Sequence, residues 1–330
     1  DSFQRFCSST SELPDWLEIS KPTQEGNRIT YTRPFIPGVK RNWPDCIVDD
    51  EVNALLLYMG CGVPGRYERF YASTHAYQTF NLLMMKGSKG EKIRVCEEKQ
   101  QPNGIFLEDW ERSLETMEHL FRAQCKYARN KKPLTDILYR SDRKLNYGMM
   151  SDREATYAMT STSQGSYLPE FLVNKVEPHI LCIRMPERIP YFDYEGFFGD
   201  EYIYADEREI LLPPMIALTA KQLSDVHLTA EETNAGALTV PQYEVTLGRF
   251  RPDSMWEEDK SKSDDQSDRN YLKAHAAEAA KALDDLAQTH DWAASPLAEP
   301  EHVYWEWKRA YRRVLAKRLK QIYSAEFPEK

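Results

Sequence analysis

Three short clusters in this 330-residue chain hold residue types that could act together on a charged small molecule. They are Arg140 after Ile137-Leu138-Tyr139, the run Ser161-Thr162-Ser163, and Glu207-Arg208-Glu209 leading into Ile210-Leu211-Leu212-Pro213-Pro214. A planar guanidinium pairs two anionic oxygens at once. A carboxylate held rigid stabilises positive charge as it develops, and a neighbouring hydroxyl spares it the rotamer entropy that an untethered glutamate would lose. No cluster is specific alone. Ser9-Thr10-Ser11 repeats the serine motif in an irregular segment, and Glu299-Pro300-Glu301 repeats the acidic spacing in a loop bounded by proline. Only one choice of Arg, Ser and Glu puts all three at strand ends in that order, and there the apolar strand is closed by a proline pair.

The elements that must position these residues follow from periodicity. After Pro133 apolar residues alternate, which predicts strands over 135–139, 155–161, 179–185, 209–212 and 244–250, separated by Gly, Pro and Asp turns. Before it the period is helical. Asp49 or Asp50 can cap a helix whose Val52, Leu55, Leu56 and Met59 lie three and four apart, and Gly60 stops it. A second helix over 107–128 gathers Trp110, Leu114, Met117, Leu120 and Phe121 on one face. Residues 1–48, rich in Pro, Ser and Thr, read as irregular with short strands near 29–32. The expected organisation is an N-terminal segment and helical lobe over 1–132, a β-rich core over 133–251, an acidic polar linker over 252–270, and a C-terminal helical appendage over 271–330. The linker assignment rests on Glu257-Glu258-Asp259-Lys260-Ser261-Lys262-Ser263-Asp264-Asp265, which has nothing apolar to bury. No internal repeat is present.

Composition removes several classes. Lys plus Arg number 43 against 52 Asp plus Glu, a net charge of −9, which argues against general binding of nucleic acid or anionic membrane. No apolar run reaches the roughly 18–20 residues of a membrane span. The start at Asp1, without Met or an apolar signal core, reads as a trimmed or processed terminus. Cysteines 7, 46, 61, 96, 125 and 182 have neither zinc-site spacing nor a disulfide pattern, and read as reduced thiols in a cytosolic setting. The seven histidines form no ligand pair, so no metal is expected. Gly60-Cys61-Gly62-Val63-Pro64-Gly65 matches a dinucleotide fingerprint by spelling only, since it follows a helix rather than a strand.

In Leu138-Tyr139-Arg140, Thr160-Ser161-Thr162-Ser163 and Glu207-Arg208-Glu209-Ile210-Leu211-Leu212-Pro213-Pro214, the chain resembles the arginine-directed mono-ADP-ribosyltransferases of the R-S-E branch, bacterial toxin and effector type. The likeness covers 133–251, touches 49–130 by helical character alone, and leaves 252–330 unmatched. It implies an α+β fold: a helical lobe and a split mixed β-sandwich with an NAD cleft, here followed by the helical appendage. By resemblance Glu209 is the catalytic carboxylate beside the nicotinamide ribose, Ser161 orients it, Arg140 pairs the pyrophosphate, and Glu207 holds the acceptor guanidinium. Ser141 stands where the family often has Gly. NAD contacts are expected from Arg140, Ser141, Ser161, Thr162 and Ser163, with Tyr167 or Phe171 stacking on nicotinamide. A recognition loop for the protein substrate is expected at Tyr194, Phe197, Phe198 and Tyr202, whose rings would otherwise pack the sheet edge.

The implied reaction moves ADP-ribose from NAD, as co-substrate and without metal, to an arginine of a target protein. The expected setting is a target-cell cytoplasm reached by secretion or injection from a bacterium. An NAD glycohydrolase using water, and a non-enzymatic interaction module, are the alternatives. The last helix, with Tyr304, Trp307, Tyr311, Leu315 and Ile322 on one side and Lys308, Arg309, Arg312, Arg313, Lys317 and Lys320 around it, could dock calmodulin or another acidic partner, or pack on the domain.

Overall fold

The computed structural model describes residues 23–25, 28–30, 46–58, 81, 83–84, 107, 110–143, 159–165, 172, 178–198, 208–233, 236–252, 265–288 and 299–328. Strands β1 (Thr23–Glu25) and β2 (Arg28–Thr30) pair antiparallel. Helices α1 (Asp49–Tyr58) and α2 (Trp110–Ala128) follow. Glu51 secures the start of α1. One carboxylate oxygen accepts the Val48 backbone N–H at 3.0 Å, a donor that helix geometry leaves without an internal partner. The other accepts Lys126 Nζ of α2 at 2.8 Å, so the buried charge is paired. Along α2, Trp110, Leu114, Met117, Leu120 and Phe121 are all buried, as their spacing predicts.

The main sheet has seven strands in the order β6-β7-β4-β3-β5-β11-β8. These are β3 (Leu138–Arg143), β4 (Thr160–Gln164), β5 (Pro178–Arg184), β6 (Phe192–Asp193), β7 (Glu209–Leu212), β8 (Ile216–Gln222) and β11 (Gln242–Phe250). Neighbours run antiparallel except β5 and β11, which run parallel, so the sheet is mixed. Helix α3 (Tyr194–Phe198) follows β6. Helix α4 (Ala230–Thr233) separates β9 (Val226–Leu228) from β10 (Leu238–Val240), an antiparallel pair outside the main sheet.

Side chains of β5 alternate between two cores, as strand geometry requires. Leu181 and Ile183 join the large cluster with the helices, while Ile180 and Cys182 join Leu172, Leu228 and Val240 on the other face. The sheet is therefore covered on both sides, and its helical side carries most of the core.

Two strand assignments differ from the sequence reading in a way that matters. β3 runs on to Arg143, so Arg140 lies inside a strand rather than at its end. Asp142 and Arg143 look like turn residues, but Asp142 is held in the strand by a 2.9 Å ion pair with Arg140. β4 begins at Thr160, so all of Ser161-Thr162-Ser163 sits within it.

The C-terminal helices also depart from expectation. α5 (Asp265–Gln288) starts inside the segment read as linker, and α6 (Glu299–Glu326) is longer than the apolar spacing suggested. Polar side chains start α5: Arg313 of α6 grips Asp268 at 2.7 and 3.1 Å, and Arg269 pairs with Asp265 at 3.0 Å. The helix pair shares a core cluster with α1, α2 and the main sheet. Tyr304, Trp307, Tyr311, Val314, Leu315, Leu319 and Ile322 are buried in the same cluster as α1, α2 and the sheet. Trp307 Nε1 donates to the Leu272 carbonyl at 3.0 Å, Ser113 of α2 meets the Tyr311 hydroxyl at 2.9 Å, and Tyr323 stacks on Phe250 at 4.7 Å. Packing on the domain thus accounts for the aromatic side of α6.

Candidate active site

The candidate site forms where the main sheet opens between β3 and β4. These strands share only the register pairs Leu138↔Gln164 and Tyr139↔Ser163, after which β3 continues along β5 alone. At the opening, Arg140 Nη1 donates to the Ser161 carbonyl oxygen at 2.7 Å, replacing a ladder bond that the parting strands no longer make. Its Nε donates to Asp142 Oδ2 at 2.9 Å. Residues two apart on a strand share a face, so Asp142 is the natural partner for Arg140. The Arg140 side chain keeps 26% exposure while Asp142 keeps 5%, so the carboxylate anchors a guanidinium that still reaches solvent.

Across β4 the antiparallel register sets Ser163 against Glu209 and Ser161 against Leu211. Both serines and Glu209 are half-buried, so one face carries two hydroxyls with the carboxylate opposite the second and diagonal to the first. Thr160 and Thr162 are buried. Thr162 Oγ1 donates to the Ile210 carbonyl at 2.8 Å, so its hydroxyl serves the β4–β7 pairing. Ser141 is half-buried in register with Ile180 of β5.

Glu209 owes its position to an unusual backbone. Arg208 adopts φ 43°, a left-handed conformation that costs a non-glycine residue about 1 kcal/mol or more. Its carbonyl still accepts the Gln164 N–H at 3.1 Å, which extends the β4 pairing one residue beyond β7. Gly165 beside it has φ 96°, and a β-carbon there would lie 2.9 Å from the Arg208 guanidinium. The positive φ, more than the movable guanidinium tip, is what favours glycine here. Glu207 itself lies outside the described residues, as do Tyr167, Phe171 and Tyr202.

The residue missed by sequence reasoning is Tyr58, the last of α1. Its hydroxyl donates to the Met159 carbonyl at 3.2 Å and accepts Asn81 Nδ2 at 3.2 Å. Burial pushes the phenol well above its ordinary pKa; the Asn81 hydrogen bond opposes this, the Glu209 charge adds to it, and Arg140 and Ser161 oppose it. One hydroxyl from the helical lobe therefore senses the residues that three strands contribute. Helical spacing places Tyr58 three residues after Leu55, on the buried face, and that signal alone reads as core.

The expected recognition loop is partly core. Tyr194 is fully buried, against Phe192 at 5.1 Å, and Phe197 packs at 4.9 Å from Phe192 and 6.3 Å from Tyr127. Packing at the sheet edge, rather than display to a partner, describes these two rings. The Phe198 side chain is outside the described residues. A β-carbon at Gly196 would press on the Asp193 carboxylate and the Tyr127 hydroxyl, so a larger residue there would have to displace these side chains.

Among the described residues no cluster of three His, Cys, Asp or Glu could hold a metal ion, and no helix is long and apolar enough to cross a membrane. Cys46, Cys125 and Cys182 are free thiols.

No family model matches the chain, and no curated protein matches it. Among solved structures it is similar to the enzymatic component C2-I of the C2-toxin from Clostridium botulinum. Two forms of that protein give TM-scores of 0.38 and 0.37 at 15% and 14% identity, each covering 62% of this chain and 44% of that one. It is also similar to BECa, an ADP-ribosylating toxin of a binary enterotoxin of C. perfringens solved with NADH, at TM-score 0.29 and 14% identity over 80% of this chain and 65% of that one. The chain thus spans less than half the length of C2-I and less than two thirds of BECa.

Proposed function

We propose that this chain is a mono-ADP-ribosyltransferase that moves ADP-ribose from NAD to an arginine side chain of a target protein and releases nicotinamide. The supporting observation is the convergence of Arg140, Ser161 and Glu209, from three different strands, on the opening of the sheet. A half-exposed guanidinium anchored by Asp142 suits a pyrophosphate, and a half-buried carboxylate suits a ribose that becomes cationic. These side chains fit NAD as a substrate.

In the proposed reaction the bond between the ribose anomeric carbon and the nicotinamide nitrogen breaks, and its electron pair leaves with nicotinamide. Positive charge spreads over the ribose and is stabilised by Glu209, more in the transition state than in the ground state. A nitrogen of the acceptor guanidinium then bonds the anomeric carbon and loses a proton, which Glu207 is proposed to accept. The target-cell cytoplasm, reached by secretion or injection from a bacterium, is the proposed site of action; the free thiols of Cys46, Cys125 and Cys182 suit a reducing compartment. A calmodulin or other acidic partner, if one binds α6, is proposed to use its exposed Lys317 and Lys320, since the aromatic side is already covered.

The test is incubation of a lysate with the protein and tagged NAD, followed by mass spectrometry of labelled residues. Glu209→Gln is expected to lower labelling by about 10²–10³-fold with the folded fraction unchanged. Normal labelling by this variant would remove the catalytic assignment. Glu207→Gln is expected to abolish arginine transfer and leave residual NAD hydrolysis. Nicotinamide release at full rate without any protein acceptor would mark a glycohydrolase instead.

A further inference from the structure

The helical lobe meets the candidate site at one polar point. Tyr58 is 3% exposed and closes α1, whose other end is tied to α2 through Glu51 and Lys126 at 2.8 Å. The helix is therefore a strut held at both ends. Its phenol hydroxyl donates to the Met159 carbonyl, one residue before β4, at 3.2 Å.

A phenol has one hydrogen to give and two directions in which to accept. The Met159 carbonyl can only accept, so it takes the hydrogen; Asn81 Nδ2, at 3.2 Å, fills one accepting direction. The backbone just before β4 is thereby tied to the end of α1, far earlier in the chain. Asn81 is itself 7% exposed, and its Oδ1 has no partner among the described residues, so the amide is held by packing and by this single bond to Tyr58. A buried polar set of this kind is kept only where its geometry is worth its desolvation.

We propose that Tyr58 is a positioning residue for the site, the hydroxyl through which the helical lobe sets the start of β4, the strand that carries Ser161 and pairs with Glu209 of β7. Its kinetic consequence rests on the transferase reading, whereas its effect on β4 rests on geometry alone. Tyr311 supplies a matched control. It too is a fully buried phenol with a hydroxyl partner, Ser113 at 2.9 Å, but that contact joins α2 to α6 away from the sheet opening.

The experiment compares Tyr58→Phe with Tyr311→Phe in the full chain, by NAD turnover and by amide hydrogen exchange. Tyr58→Phe is expected to lower kcat for nicotinamide release about tenfold, with KM for NAD within about twofold, and to speed exchange at the Thr160–Ser163 amides about tenfold or more. Tyr311→Phe should leave both unchanged. Equal loss in the two variants, or a rise in KM with kcat preserved, would overturn the positioning role in favour of general packing. Unchanged exchange at β4 in Tyr58→Phe would overturn it regardless of turnover. Should the wild-type protein release no nicotinamide, the transferase reading falls, and the exchange comparison still decides whether Tyr58 sets β4.

Discussion

Arg140 with Asp142 and Arg313 with Asp268 are the same pair of residue types at almost the same exposure, 26% and 5% against 21% and 3%, yet they do different work. Arg313 lays its fork across both Asp268 oxygens, at 3.1 Å from Nε and 2.7 Å from Nη2, and so joins α5 to α6. Arg140 meets Asp142 through Nε and turns Nη1 to the carbonyl of a strand that is parting from its own. Charge and burial do not separate a structural ion pair from a site. The separation lies in how the fork is used and in what else converges there, which for Arg140 includes Ser161, Glu209 and Tyr58.

The largest expected effect falls on the structural pair. Arg313→Ala strands the Asp268 carboxylate and should cost about 2–3 kcal/mol in a urea melt, discounted for the partial exposure of the arginine, with turnover per folded molecule intact. A loss below about 0.5 kcal/mol would mean that the two pairs are more alike than their geometry suggests. Arg140→Lys keeps the charge and removes the fork. KM for NAD should rise about tenfold, the equivalent of about 1.4 kcal/mol, with little change in the melt. An unchanged KM would take Arg140 out of the site. The smallest effect concerns Arg208, whose left-handed backbone has no counterpart in the helix pair. Arg208→Gly should raise stability by up to about 1 kcal/mol, because relief of the backbone outweighs a 3.9 Å surface contact with Glu195. A lower melting midpoint would show that the side-chain contacts outweigh the strain.

Helix α2 was legible because it carries its apolar residues at three and four spacing, and β7 because an apolar run ends at two prolines. Strand limits around the site were not. Asp142 reads locally as a turn former, and the β5 ladder and its bond to Arg140, both long-range or strand-dependent contacts, accompany its extended backbone. The start of α5 was hidden for a related reason, since Asp265 to Asn270 holds no apolar face, and the ion pairs that stabilise it come from α6 and from its own next turn. Tyr194 and Phe197 are aromatics beside a glycine, a pattern that fits display and packing alike, and the structure chose packing for both.

By itself the sequence determined which residue types are present to meet an anion and a developing cation, and which segments alternate or turn with helical period. Those are local properties, written in side-chain chemistry and in spacing over a few residues. Only the tertiary structure decided that β3 and β4 part at Arg140, that Arg208 turns left-handed before Glu209, and that a tyrosine from a distant helix reaches the serine strand. Each depends on contacts between residues far apart in the chain, whose free energy exists only once the core has brought them together.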